Sequence, residues 1–147
     1  MEELLKKLVE KNKKYGAEGN VANYIPELDK ADPMALGIYV STLDGQEYFA
    51  GDCTTKFTIQ SISKIISLML AILDNGEEYV FSKVGMEPSG DPFNSIRKLE
   101  TSSRKKPYNP MINAGAIAVA SMIKGKNVKE KFDRLLDFTR LITEDPT

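Results

Sequence analysis

The feature that most constrains this 147-residue chain is a lysine at the start of a long apolar run. The segment Gln60-Ser61-Ile62-Ser63-Lys64 leads directly into Ile65-Ile66-Ser67-Leu68-Met69-Leu70-Ala71-Ile72-Leu73. Residues 62–73 are apolar almost all round, which is typical of a buried helix. A buried ammonium must find a partner or lose its proton. We therefore expect Lys64 to have a specific role.

Ser61 lies three residues before Lys64, so the two side chains would share one face of a helix. A hydroxyl beside an amine that deprotonates readily is the start of a nucleophile and its base. The spacing alone is weak, because Ser-x-x-Lys occurs five times in the chain. The other pairs are Ser95/Lys98, Ser102/Lys105, Ser103/Lys106 and Ser121/Lys124. The competing interpretation is that Lys64 reaches out to solvent while Ser61 caps the helix.

Histidine is absent from the chain, and this narrows its chemistry. Ser-His-Asp and Cys-His catalysis and most zinc and non-haem iron sites are excluded for this chain alone. A catalytic base must then be Lys, Asp, Glu or Tyr. This makes Ser61 and Lys64 stronger candidates for a nucleophile and its base. The single cysteine, Cys53, excludes an internal disulfide and fits a reducing compartment.

The charges balance to a formal net charge of −1, so no overall field attracts nucleic acid or an anionic membrane. Residues 97–106 are basic but contain no interleaved aromatic, which favours a solvated loop over a nucleic-acid patch. The N-terminal residues have no signal-peptide core, and the longest apolar run is too short to span a bilayer. We expect a cytoplasmic protein that binds neither nucleic acid nor membrane.

The residue patterns predict one hairpin and several helices, an α+β chain with no repeat or internal linker. Residues 2–15 form an amphipathic helix with Leu4, Leu5 and Leu8 as its apolar stripe. Residues 36–43 and 46–50 form a hairpin around the two-residue turn Asp44-Gly45. Further helices are predicted at residues 61–75, 77–84, 114–121 and 128–141. A lone hairpin is not a self-sufficient sheet, so this is either a small α+β unit or the front of a larger domain.

Four segments resemble the serine-dependent glutaminase family, in its order and near its spacing. They are residues 24–28, 60–64, 87–94 and 109–117. The resemblance covers essentially the whole chain from about residue 17. It implies the N-terminal portion of a β-lactamase/transpeptidase-like fold, with residues 1–147 as one domain and 1–16 as a leading amphipathic helix. It also implies a homo-oligomer that hydrolyses L-glutamine to L-glutamate and ammonia with no metal or organic cofactor.

The resemblance assigns roles position by position. Ser61 resembles the nucleophile, which also contacts the substrate, and Lys64 resembles its base. Tyr24, Gln60 and Asn113 resemble residues that line the substrate pocket, and a tyrosine hydroxyl and two amides suit a ligand such as glutamine. Each has a plainer alternative. Tyr24 would be a core aromatic, Gln60 a polar residue at a helix start, and Asn113 a helix cap.

Two other interpretations stay open. A β-lactamase or peptidase of the same fold would pair Ser-x-x-Lys with Ser-Asp-Asn and Lys-Thr-Gly, and neither tripeptide occurs here. Lys-Thr-Gly would be expected later in such a chain, so only the absence of Ser-Asp-Asn is informative. The family's domain continues well beyond residue 147 and supplies most of the pocket from there. The third interpretation is therefore an inactive, truncated glutaminase fragment that acts only through subunit contacts.

Overall fold

The computed structural model describes residues 1–90, 92, 94 and 106–146. The chain divides into two compact units, Met1–Thr58 and Ile59–Thr147, and each has its own apolar core. Of the basic stretch predicted as a solvated loop, residues 97–105 lie outside the described part. No helix in the described ranges is long and apolar enough to cross a membrane.

The first unit consists of one helix packed on one hairpin. Helix α1 (Glu2–Lys13) lies against strands β1 (Gly37–Ser41) and β2 (Glu47–Gly51), which pair antiparallel. Side chains alternate between the two faces of a strand, and one face of the hairpin packs on α1. This core contains Leu5, Val9, Leu36, Ile38, Val40, Tyr48 and Ala50. On the other face the rings of Tyr39 and Phe49 stack, with centroids 6.1 Å apart.

The apolar stripe predicted for α1 is correct at only one of its three positions. Leu5 is buried together with Val9, whereas Leu4 and Leu8 are 55% and 37% exposed. Leu5 and Val9 lie one turn apart and form a single ridge. The hairpin covers only this ridge of the helix. After Lys13 the chain continues as a 3₁₀ helix over Lys14–Glu18.

The connection between the strands is longer than the predicted two-residue turn. The Gly45 N–H donates to the Thr42 carbonyl at 3.0 Å, so the tight turn spans residues 42–45. Gly45 has φ +79°, as expected for a type I turn followed by a left-handed glycine. Leu43 therefore leaves the strand in which the sequence pattern placed it.

The second unit is helical in its described part. Its helices are α2 (Ser63–Asn75), α3 (Glu77–Lys83), α4 (Asn113–Met122) and α5 (Val128–Thr143). Every boundary lies within two residues of its prediction. Gly76, with φ +82°, ends α2 in a conformation that residues with side chains rarely adopt. The Asn127 side chain accepts the Glu130 N–H and so caps α5.

Helix α2 packs against the other three helices of this unit. The buried core residues are Leu70, Ala71, Val80, Val84, Val119 and Ile123. The prediction that residues 62–73 are buried all round is wrong for one side. Ile65, Met69 and Leu73 are 54%, 43% and 70% exposed, because within the described part the neighbouring helices cover only the face with Ile66 and Leu70. One hairpin with several helices confirms the α+β class.

Candidate active site

Ser61 lies in a short turn of 3₁₀ helix, Gln60–Ile62, that leads into α2. Gln60 has φ +45°, an uncommon left-handed conformation for a residue with a side chain. The Ser63 hydroxyl donates to the Gln60 carbonyl at 2.7 Å and holds this turn. Ser61 is exposed, and α2 begins without a side-chain cap. The alternative role of Ser61 as a helix cap is therefore wrong.

Lys64, at the start of α2, is half-buried and its ammonium is hydrogen-bonded. Its Nζ donates to the Met111 carbonyl at 2.9 Å and to Asn113 Oδ1 at 2.8 Å. The side chain therefore does not simply reach out to solvent, and that alternative is wrong. Among the described residues, no hydrogen bond joins the Ser61 hydroxyl to the Lys64 ammonium. The two groups are neighbours along the chain, three residues apart.

Asn113 is the first residue of α4, and its side chain is hydrogen-bonded to Lys64 and does not cap the helix. The N-cap position is Ile112, with extended backbone, and no side chain caps the helix there. The capping alternative for Asn113 is therefore wrong. The geometry directs its carboxamide oxygen to an amine that lies 49 residues earlier in the chain.

Asn109 organises the loop before α4. Its carboxamide oxygen accepts the N–H groups of Met111 and Ile112 at 3.0 and 3.1 Å. Its amide nitrogen donates to the Glu87 carbonyl at 2.9 Å. Three of the four recognised segments therefore meet in this unit. Neither Asn109 nor the Met111 carbonyl was predicted as part of the site, although Asn-Pro at residues 109–110 is a signal for a turn of this kind.

Tyr24 belongs to the first unit, whereas the other candidate residues belong to the second. Residues 24–27 form bends and turns, and residues 20–23 before them have no regular secondary structure. The Tyr24 side chain is 75% exposed, so the alternative of a core aromatic is wrong. Among the described residues, no group of three or more Cys, Asp or Glu side chains could hold a metal ion.

Comparison with known proteins gives consistent matches. The glutaminase family model matches residues 19–147. The glutaminase of Fusobacterium nucleatum is 87% identical over 145 residues, which are 99% of this chain and 48% of that protein. A Bacillus glutaminase crystallised in 4.3 M NaCl has TM-score 0.85 and 38% identity, covering 97% of this chain and 44% of that one. A probable glutaminase from Bacillus subtilis, complexed with 6-diazo-5-oxo-L-norleucine, has TM-score 0.78 and 38% identity, covering 94% and 40%.

The chain spans about half the length of the relatives that it matches, 48% of the Fusobacterium nucleatum glutaminase and 47% of one from Clostridium botulinum. The structural matches confirm the predicted fold, a hairpin and helices that form the N-terminal portion of a glutaminase fold. The family model covers most of the sequence, and the recognised segments at residues 24–28, 60–64, 87–94 and 109–117 all lie within it. The chain therefore belongs to the glutaminase family.

Proposed function

We propose that the protein carrying this chain hydrolyses the side-chain amide of L-glutamine to L-glutamate and ammonia. Ser61 is the nucleophile and Lys64 the base. The observation that carries the proposal is the pair of hydrogen bonds from Lys64 to Met111 and Asn113, three residues from an exposed serine in a chain without histidine.

In the proposed reaction, Lys64 as a free amine takes the proton of the Ser61 hydroxyl while Oγ attacks the carboxamide carbon of glutamine. The tetrahedral oxyanion collapses, the C–N bond breaks, and the Lys64 ammonium protonates the departing nitrogen, which leaves as ammonia. A water molecule, deprotonated by Lys64, then attacks the glutamyl ester. The ester bond breaks, glutamate leaves and Ser61 recovers its proton.

The contacts of Lys64 support this role. The Met111 carbonyl and Asn113 Oδ1 both accept hydrogen bonds from Lys64 Nζ. The two acceptors belong to one segment, at the start of α4, and fix the place of the nitrogen. Positioning of this kind is a large part of general base catalysis.

The substrate contacts are proposed for Tyr24, Gln60, Ser61 and Asn113. Glutamine offers a carboxylate, an ammonium and a planar amide, and a phenol with two carboxamides supplies neutral donors and acceptors for them. The ligand of the Bacillus subtilis relative supports the substrate class. In 6-diazo-5-oxo-L-norleucine a diazoketone takes the place of the carboxamide of glutamine.

The proposal extends to the organisation of the whole protein. Residues 1–147 are the N-terminal half of a single catalytic domain, with residues 1–16 as its leading helix. The protein works in the cytoplasm as a homo-oligomer, and the reaction as written needs no cofactor. The family membership and the length of the relatives support the domain assignment.

The test is to map the covalent adduct formed by 6-diazo-5-oxo-L-norleucine on the full-length native protein. Attack by a nucleophile expels N₂ and leaves an ether, so peptide mass spectrometry locates the site. We expect the adduct on Ser61, and loss of both the adduct and glutamine hydrolysis in Ser61→Ala, with a rate loss of about 10³-fold or more.

Ser121→Ala is the matched control. Ser121 belongs to another Ser-x-x-Lys pair, is exposed, and donates to the Ala118 carbonyl in its own helix. This variant should keep both the adduct and the activity. An adduct that persists at the active site of Ser61→Ala would refute the assignment. Acylation of Ser61 by a penicillin, without glutamine hydrolysis, would instead favour a β-lactamase-like enzyme.

A further inference from the structure

We propose that Asn109 is a positioning residue for the reaction, because it fixes the peptide group that receives the Lys64 amine. This inference rests on the proposed function. Asn109 acts through Met111 and Lys64 and is not itself proposed to touch the substrate. It would set kcat by holding the base in the orientation from which it takes the Ser61 proton.

The peptide group between Met111 and Ile112 makes a hydrogen bond on each of its two sides. No cis peptide bond occurs in the described part of the chain, so the C=O and N–H of this planar group point in opposite directions. Lys64 Nζ donates to the C=O of Met111 at 2.9 Å. On the opposite side, the N–H of Ile112 donates to Asn109 Oδ1 at 3.1 Å. The same planar group thus lies between Asn109 and the base.

The Asn109 carboxamide is itself anchored by hydrogen bonds. Its amide nitrogen donates to the Glu87 carbonyl at 2.9 Å. The segment with Glu87 is held by backbone pairing, since the N–H of Gly85 donates to Pro107 and that of Glu87 to Tyr108, at 2.8 and 3.0 Å. Within the part of the chain that the structure describes, the three polar contacts of the carboxamide all go to backbone groups, and these contacts restrict its rotation.

The backbone of Asn109 lies close against α4. Gly115 is buried in α4, and a Cβ added there would collide with the carbonyl oxygen of Asn109. Only glycine allows the helix to come this close to the loop. The backbone of Asn109 therefore packs closely against α4, and its side chain is hydrogen-bonded to the Glu87 carbonyl. Asn109 is held at both ends, as a residue that orients another group must be.

The test compares two substitutions in the full-length native protein. Asn109→Asp keeps an acceptor oxygen for the N–H groups of Met111 and Ile112, but it loses the donor to the Glu87 carbonyl, so it tests the acceptor role alone. Asn109→Gln keeps the carboxamide but displaces it by one methylene. We expect Asn109→Gln to lower kcat for glutamine about 10- to 100-fold with little change in KM. Asn109→Asp should retain kcat within about fivefold of the parent, a difference of about 1 kcal/mol in activation free energy.

Asn75→Ala is the control for loss of structure. Asn75 lies at the far end of α2, and its carboxamide also donates to two backbone carbonyls, those of Ala71 and Met122. We expect this variant to lower the melting temperature without lowering kcat per active site. Active sites are counted from the adduct with 6-diazo-5-oxo-L-norleucine, so that misfolded molecules are left out of kcat.

Two results would overturn the inference. One is an unchanged kcat per active site in Asn109→Gln, and the other is an equal loss of kcat in Asn109→Gln and Asn109→Asp. Failure of the proposed function has a different signature, because the unsubstituted protein would then not hydrolyse glutamine. If Asn109→Gln yields no folded protein, rates of Asn109→Asp near those of the parent still support the role of the acceptor oxygen, and a loss of 10-fold or more refutes it.

Discussion

Two hydrogen bonds to neutral oxygens allow the Lys64 amine to lie half-buried in a helical unit with an apolar core. A buried amine without such acceptors would be strongly unfavourable. Both acceptors come from the segment at the start of α4, the Met111 carbonyl and Asn113 Oδ1. The position of the amine therefore depends on the packing of α2 against α4. A change in either acceptor would remove one of the contacts that hold the proposed base.

The first prediction concerns the chemical role of Lys64. Lys64→Arg keeps the positive charge, but a guanidinium holds its proton at all ordinary pH values and cannot act as a base. If Lys64 is the base, Lys64→Arg and Lys64→Ala should lose similar activity, about 10²-fold or more in kcat. Ammonia release from glutamine by the full-length protein measures this loss.

Lys124→Arg is the control for this prediction. Lys124 belongs to the exposed pair with Ser121, and its replacement should leave kcat unchanged. If Lys64→Arg retained most of the activity while Lys64→Ala did not, the role of the side chain would be electrostatic. Proton transfer would then have to be assigned to another group.

At the scale of elements, the second unit is joined by an ion pair between helices. The Arg134 guanidinium on α5 donates to both carboxylate oxygens of Asp74 near the end of α2, at 2.7 and 2.6 Å. The Asp74 side chain is 7% exposed and also accepts the Lys124 N–H at 2.7 Å. Arg134 donates in addition to the Lys124 carbonyl. One pair thus connects two helices and the loop that precedes α5.

We predict that Asp74→Asn lowers the free energy of unfolding by about 1–3 kcal/mol at neutral pH, because two charge-assisted hydrogen bonds to Arg134 are weakened. Arg134 is partly exposed, so water replaces part of the hydrogen bonding that it loses in this variant. The exposed pair Lys129–Asp133 on α5 gives the matched control. Asp133→Asn should change stability much less than Asp74→Asn, because water screens an exposed pair. Equal losses in the two variants, measured by denaturant titration, would contradict the assignment.

The contribution of Asp74 to the free energy of unfolding should decrease as the pH falls. The hydrogen bonds from Arg134 hold the pKa of Asp74 below its ordinary value, although burial opposes this. An aspartate with a lowered folded pKa stabilises the protein above its unfolded pKa, near 3.9, and this contribution is lost as the pH falls through the folded value. The difference in stability between the native protein and Asp74→Asn should therefore be full above about pH 5 and should shrink toward pH 3. A difference that stays constant over this range would be inconsistent with the ion pair.

At the scale of the whole molecule, one side of α2 presents a row of exposed apolar side chains in the described part of the chain. Ile62, Ile65, Met69 and Leu73 follow a helical spacing and are 53%, 54%, 43% and 70% exposed. Contiguous apolar surface of this kind favours association in water. Each such side chain gains about 1.5–3 kcal/mol when it is fully buried.

We predict that the purified 147-residue chain self-associates and does not turn over glutamine at an ordinary enzymatic rate. Light scattering gives the mass, and ammonia release gives the activity. The double substitution Ile65→Lys with Leu73→Lys should weaken association about 10-fold or more. Leu43→Lys, at a fully exposed position of the hairpin turn, is the control and should have no such effect. A monomer that turns over glutamine at an ordinary rate would mean that these residues carry a complete site.

Much of the second unit could be predicted from local sequence. The ends of α2 and α5 are marked by Gly76 and Asn127, and such signals act within one turn of a helix. Which face of a helix is buried was predicted poorly. Leu4 and Leu8 of α1, and Ile65 of α2, are apolar yet exposed, because burial depends on the width of the neighbour that covers the helix.

The sequence by itself determined the kind of chemistry available to this protein. The absence of histidine and the single Ser-x-x-Lys pair at the head of an apolar run directed attention to Ser61 and Lys64. Only the tertiary structure decided what holds Lys64. Its partners, Met111 and Asn113, lie 47 and 49 residues away and are brought to it by the packing of α2 against α4. Local periodicity records which residues share a face of one element, whereas contacts between distant segments depend on how those elements pack.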